Sequence, residues 1–161
     1  MIDFLLKKRS ALLYGILFIL LYGLDRISKH LALLALQKTT LAISPGFSLF
    51  LTQNYGISFS LFSATSKLET YLLIGSIMVM LLLFGRYIVL RYYQGIGIIP
   101  EVFIMAGALG NLTDRFMQGG VIDFLDFYYK GYHFPTFNFA DSFIFCGVVF
   151  FLMRSMYDEH L

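Results

Sequence analysis

The chain reads as long apolar blocks separated by short polar stretches, with none of the short, alternating segments that a transmembrane barrel needs. The first uncharged run, 11–24, follows Lys7, Lys8 and Arg9, like the charged head and apolar stretch of a secretory signal, but no small-x-small cleavage site follows it. At about 1.5 Å per residue this run reaches about 21 Å, short of the ~30 Å hydrocarbon core. The first span is therefore predicted to continue through Asp25, Arg26 and Lys29 to about residue 36, which makes one of its ends polar. Further spans are predicted at about 68–90, 96–115 and 137–154, with Glu69 and Arg86 snorkelling to opposite interfaces. The expected fold is mainly α, a polytopic membrane protein of four transmembrane helices forming one domain over 1–161. Two longer connections remain, 37–67 and 116–136. In the first, Pro45-Gly46 is a turn signal followed by an alternation that fits a short strand on the membrane surface. The second is crowded with rings, among them Phe124, Phe127, Tyr128, Tyr129, Tyr132 and Phe134, with Phe137 just beyond it, and such rings favour the headgroup level.

Composition agrees with lipid as the main solvent. Hydrophobic residues make up 58% of the 161 positions and charged ones 14%, with 18 Phe and 11 Tyr, and mean hydropathy is +0.76. Soluble domains carry roughly 25% charged residues. A net charge of +2 gives no sign of a nucleic-acid partner. One cysteine, Cys146, forbids an internal disulfide, and His30, His133 and His160 lack metal-site spacing, so neither a metal nor another cofactor is expected.

Lys and Arg divide equally between the two sides that four crossings define, so raw counting leaves orientation open. On one side Lys7, Lys8 and Arg9 precede the first helix, and loop 86–95 holds Arg86 and Arg91 without an acid; Arg154 falls there too. On the other, Arg26, Lys29, Lys38, Lys67, Arg115 and Lys130 sit beside acids. Both termini are therefore expected in the cytoplasm. Four polar groups then converge on the outer side: Asp25 with Lys29; Asn111, Asp114 and Arg115; Asp123; and Asn138 with Asp141. Ionisable groups at membrane depth are costly and mark candidate sites. Plainer explanations exist for each. Asp25 and Lys29, four apart, fit a helix ion pair; Asn111 to Arg115 fits a polar helix end; Asn138-Phe139-Ala140-Asp141 has the form of a capping box; Asp123 and Asp126 fit water-facing positions.

Two carboxylates brought close in a partly dry site share a proton and titrate together. The ionised one takes a proton from attacking water while the protonated one donates to the carbonyl oxygen. Other intramembrane protease chemistry lacks its residues: His-Glu-x-x-His is missing, Ser28 and Lys29 do not share a helix face, and Gly95-Ile96-Gly97 is followed by Ile98 where another aspartyl class has Asp.

In order and spacing, Asp25-Arg26-Ile27-Ser28-Lys29, Asn54-Tyr55-Gly56-Ile57-Ser58-Phe59-Ser60, Gly107 to Arg115, Val121-Ile122-Asp123-Phe124 and Phe137-Asn138-Phe139-Ala140-Asp141 resemble the bacterial lipoprotein signal peptidases (signal peptidase II) over nearly the whole chain. The resemblance implies an inner-membrane protein with a small extracytoplasmic sheet and a periplasmic surface loop or helix. It implies cleavage of diacylglyceryl-modified prolipoproteins before the lipidated Cys, with membrane lipid as the other partner and a monomer as the working form. It places the catalytic pair at Asp123 and Asp141. Asp25, Lys29, Asn54, Gly56, Gly110, Asn111, Asp114, Arg115 and Asn138 would line or support the site near the extracytoplasmic face, Arg115 holding substrate and Asn111 and Asn138 orienting the pair. The aromatic second loop would close over the peptide. Ile57-Ser58 and Ala106-Gly107 depart from the family's usual Ala-Ala and Gly-Gly, and Ile57 is expected to narrow the substrate path. Asp126 rivals Asp123 on sequence alone, since each follows an aliphatic residue and precedes Phe. A small proton-coupled carrier, or an assembly factor whose polar cluster only holds helices together, are the rival functions.

Overall fold

A computed structural model describes residues 2–56 and 66–158. Four helices, α1 (Ile2–Ala35), α2 (Lys67–Tyr93), α3 (Ile99–Gln118) and α4 (Phe139–Asp158), accompany four short strands, β1 (Leu41–Ser44), β2 (Phe47–Asn54), β3 (Val121–Tyr129) and β4 (Tyr132–His133). Ile57 and Ser58, and with them the expectation about the substrate path, lie outside the described residues.

By length and composition α1, α2 and α4 can cross a membrane. Helix α3 is as long as α4 but carries Glu101, Asp114 and Arg115, and it packs against all three of the others. Those charges are tolerable because α3 faces protein: Glu101, Gly107, Gly110, Asn111 and Asp114 are all buried. In α1 the buried positions Asp25, Lys29 and Ala32 form one stripe that continues to Leu36, while Leu12, Ile16, Ile19, Leu20, Ile27 and Leu34 stand exposed, as lipid-facing residues do.

The helix ends have local causes. Ser66 and Glu69 form a reciprocal capping box that starts α2. Pro100 follows the N-cap Ile98, so the third helix begins at Ile99 rather than 96. Gly119, at φ +76°, ends it in the left-handed conformation that favours glycine and turns the chain into β3.

The sheet is antiparallel in the order β1-β2-β3-β4. Pro45-Gly46 makes the predicted turn, and Gly46 lies at φ +88°, where its carbonyl accepts the Tyr128 N–H at 2.9 Å. The stretch 116–136 differs from expectation. It completes α3 and then forms β3, an interior strand mostly buried along its length, followed by the Lys130-Gly131 turn, both residues at positive φ. An aromatic loop free to close over a peptide is therefore not what this segment forms.

At the end of the bundle away from this sheet, buried Glu101 meets Arg91 Nε at 3.1 Å and Arg154 Nη2 at 2.6 Å. The acid lacking in loop 86–95 comes from the next helix. Helices α3 and α4 approach closely because small residues face each other. A Cβ on Gly147 would lie 2.8 Å from the Pro100 carbonyl oxygen and 3.0 Å from the Ile104 nitrogen, whereas one on Gly75 of α2 would meet nothing within 4 Å. Replacing glycine by alanine within a helix is ordinarily favourable by about 1 kcal/mol. Gly147→Ala is nonetheless expected to destabilise the protein by about 1–3 kcal/mol through overpacking, with Gly75→Ala neutral or stabilising. Thermal unfolding in detergent checks this, and equal midpoints for the two variants would contradict the close contact.

Candidate active site

The end of the bundle beside the sheet holds a buried polar network drawn from α1, α3, β3 and α4. Its base is Lys29, fully buried, whose Nζ lies 3.0 Å from Asp25 Oδ2 and 2.7 Å from Asp114 Oδ2, and donates to Asn111 Oδ1 at 2.9 Å. The plain helix ion pair is thus only part of what Asp25 and Lys29 do. Asp25 Oδ1 also accepts the Ala140 N–H at 3.0 Å, tying α1 to the start of α4. Gly110 makes room for this: a Cβ there would run into the Asp25 carboxylate.

Lys29 imposes an orientation. With Asn111 Oδ1 occupied by the ammonium, the Asn111 amide nitrogen faces Asp141 and donates to its Oδ1 at 2.7 Å. Asn138 is indeed the N-cap of α4, accepting the Asp141 N–H at 2.8 Å while Asp141 Oδ2 accepts the Asn138 N–H at 3.3 Å. Its amide nitrogen has a second task, donating to Asp123 Oδ1 at 2.6 Å, with Asn111 Oδ1 and the Ile122 carbonyl each at 3.2 Å. One residue therefore grips both carboxylates, and capping and site support coincide.

Asp123 and Asp126 do not face water; both are buried, at 2% and 3% exposure. Three residues apart on a strand, they point to opposite faces of the sheet. Asp123 joins Asp141, whereas Asp126 accepts the Ser48 hydroxyl at 2.6 Å and lies 2.9 Å from His133 Nδ1. Burial, followed by the Asp141 carboxylate, pushes Asp123 up to about 7, against hydrogen bonds with Asn138 and Asn54 and the Lys29 charge. Burial acts on Asp126 in the same sense, but its bonds to Ser48 and His133 prevail and hold it below the usual carboxylate range.

The remaining predicted residues frame this pair. Asn54 Oδ1 accepts the Gly56 N–H at 3.0 Å, and Arg115 Nη2 donates to the Gly56 carbonyl at 2.8 Å while Nη1 reaches the Asn111 carbonyl at 3.2 Å. Arg115 Nε is buried and has no hydrogen-bond partner among the described residues. Beside it a cleft of about 270 Å³ runs between α2 and α3, lined by Thr70, Tyr71, Ile74, Arg115, Phe116 and Gly119. Arg26 is the network residue that sequence reasoning missed. It pairs with Asp114 Oδ1 and reaches the Gly110 carbonyl at 3.4 Å. The available signal was Asp114 itself, an acid inside a span that needs a cation at its own depth. Among the described residues no group of three or more His, Cys, Asp or Glu could hold a metal ion.

A sequence profile of the family described as signal peptidase (SPase) II matches residues 17–157. The lipoprotein signal peptidase of Francisella tularensis subsp. mediasiatica is 38% identical over 154 residues, covering 94% of this chain and 96% of its own. That of Buchnera aphidicola subsp. Baizongia pistaciae is 37% identical over 140 residues, covering 83% and 84%. Among solved structures, a bacterial membrane enzyme determined at 2.3 Å shares the fold with a TM-score of 0.75 over 91% of this chain and 88% of that one, at 21% identity.

A carboxyl that keeps its proton longer in the fold than in the unfolded chain makes the protein lose stability as pH climbs from the ordinary 3.8 toward 7. Asp123→Asn removes that loss. It is expected to raise the free energy of unfolding in detergent more at pH 8 than at pH 5, by up to a few kcal/mol; a gain independent of pH would show that Asp123 ionises in the usual range.

Proposed function

The chain belongs to the signal peptidase II family, and on that premise we propose that it removes the signal peptide from diacylglyceryl-modified prolipoproteins, cutting before the lipidated Cys with water activated by Asp123 and Asp141. The observation that carries the mechanism is that one residue, Asn138, holds two carboxylates from β3 and α4, its side-chain amide donating to Asp123 Oδ1 and its backbone N–H to Asp141 Oδ2. Two such groups cannot both ionise cheaply, so at neutral pH they hold one proton between them. The ionised member takes a proton from water as the water oxygen attacks the scissile carbonyl carbon. The protonated member donates to the carbonyl oxygen, and a proton passes to the departing amine as the C–N bond breaks. Neither a metal nor a covalent intermediate takes part.

The fixed surroundings suit that chemistry. Asn111 and Asn138 leave each aspartate little freedom to rotate, so the pair is ordered before substrate arrives. Arg115, with Nε uncommitted among the described residues, is placed to take the substrate backbone or lipid headgroup, and the cleft beside it gives acyl chains a path along the flank of α2 and α3. We place the protein in the bacterial inner membrane as a multi-pass protein, with the basic N-terminus in the cytoplasm and the pair near the outer face, the depth at which a lipid-anchored Cys leaves the bilayer.

Cleavage of a diacylglyceryl-modified prolipoprotein in liposomes tests this. Wild type cleaves; Asp123→Asn and Asp141→Asn insert but lose about 100-fold or more in rate; Asp126→Asn retains it. A dead Asp126→Asn would overturn the choice of pair. Full cleavage by both Asp123→Asn and Asp141→Asn would overturn the two-aspartate mechanism, and failure of the wild type to cleave lipidated substrates would favour the assembly-factor function. Arg115→Ala is expected to weaken substrate affinity, and unchanged affinity and turnover would remove its binding role.

A further inference from the structure

Seven ionisable side chains meet around the aspartate pair, and each can be assigned by element. Helix α1 brings Asp25, Arg26 and Lys29; α3 brings Asp114 and Arg115; β3 brings Asp123; α4 brings Asp141. Among the described residues the other neighbours add no charge to this group. Helix α2 borders Arg115 with Thr70, Tyr71 and Ile74 and turns Glu69 to its own N-cap, β2 contributes the neutral Asn54, and Asp126 with His133 lies on the far face of the sheet. Asp25 and Asp114 each touch a cation. The cations are Arg26, Lys29 and Arg115, one fewer than the carboxyls, so the group is neutral only when it carries a single extra proton. With Asp25 and Asp114 ion-paired, that proton falls to Asp123 and Asp141. A buried charge without compensation is strongly disfavoured, so both losing this proton and taking up a second are opposed.

We infer that Arg26, a half-buried guanidinium, is a positioning residue that sets the proton count of the aspartate pair, by balancing buried Asp114 so that the group is neutral with one shared proton. This rests on the assignment of Asp123 and Asp141 as the reacting pair. Asp114 is the link: its Oδ1 takes Arg26, while its Oδ2 takes Lys29 and accepts the N–H of Ile122, the residue before Asp123, at 3.3 Å. Removing the Arg26 charge leaves the group one unit too negative, and the pair then holds protons to higher pH. Removing the Asp114 charge does the reverse.

The experiment is the pH profile of prolipoprotein cleavage in liposomes for wild type, Arg26→Lys, Arg26→Gln, Asp114→Asn and the double variant. Arg26→Gln is expected to move both limbs of the profile up by about one pH unit, the size that neighbouring charges impose on carboxyl groups. Arg26→Lys keeps the wild-type limbs, Asp114→Asn moves them down, and the double variant returns them. A uniform loss of rate with unmoved limbs, unrepaired in the double variant, would overturn the inference and make Arg26 a mechanical strut. Should Arg26→Gln fail to insert, Asp114→Asn decides alone: a downward shift supports the inference and an unmoved profile overturns it. Infrared titration of the protonated carboxyl stretch in the same proteins needs no turnover. If wild type fails to cleave, the proposed function falls, while displacement of that titration by Arg26→Gln still supports the charge count and its absence overturns it.

Discussion

A lysine with no exposed surface, near one end of a helix built to lie in lipid, is the constraint on which this architecture turns. A buried ammonium without partners would cost several kcal/mol, and Lys29 meets that demand by drawing Asp25 of its own helix together with Asp114 and Asn111 of α3. Each partner is then committed further. Asp25 holds the α4 backbone at Ala140, Asp114 holds the β3 backbone at Ile122, and Asn111 is turned so that its amide nitrogen faces Asp141. The placement of both candidate catalytic aspartates thus follows from how one cation is compensated.

Such a network forms only where the backbones come close, and residues without large side chains permit this. Gly107 and Gly110 lie on the face of α3 that meets Ala140, at the first turn of α4, and a Cβ on Gly107 would overlap the Ala140 carbonyl. Asn138, immediately before that turn, consequently lies within reach of Asn111, Ile122 and Asp123 together. The N-terminal cap of one helix, a local requirement for unsatisfied amides, becomes the joint between helix, strand and aspartate pair.

The far end of the bundle solves a similar problem in a simpler form. Glu101, also without exposed surface, is compensated by Arg91 and Arg154, whose guanidinium groups lie over Tyr87 and Phe151 as well. Between the two polar ends, α2 and much of α1 and α4 present exposed leucine, methionine and phenylalanine to the surroundings. Polar networks at both ends specify how the helices pair, a job that apolar side chains do poorly when the solvent is as apolar as they are.

Taken by itself, the amino-acid sequence determined the class of protein, the number of long helices, the Pro45-Gly46 hairpin and the convergence of polar residues on one side, because each depends on local composition or short-range spacing. It also brought Asp123 and Asp141 forward, though Asp126 matched Asp123 in its neighbours. Residue pattern alone left those two equivalent and the family resemblance chose Asp123; the tertiary structure puts them on opposite faces of the sheet, an arrangement that depends on the pairing of interior strand β3 with β2 and not on local sequence. The same holds for Arg26 with Asp114 and for Glu101 with Arg154, partners 88 and 53 residues apart. No local pattern encodes such meetings, which are settled when helices too close for large side chains leave each buried charge one place to find its opposite.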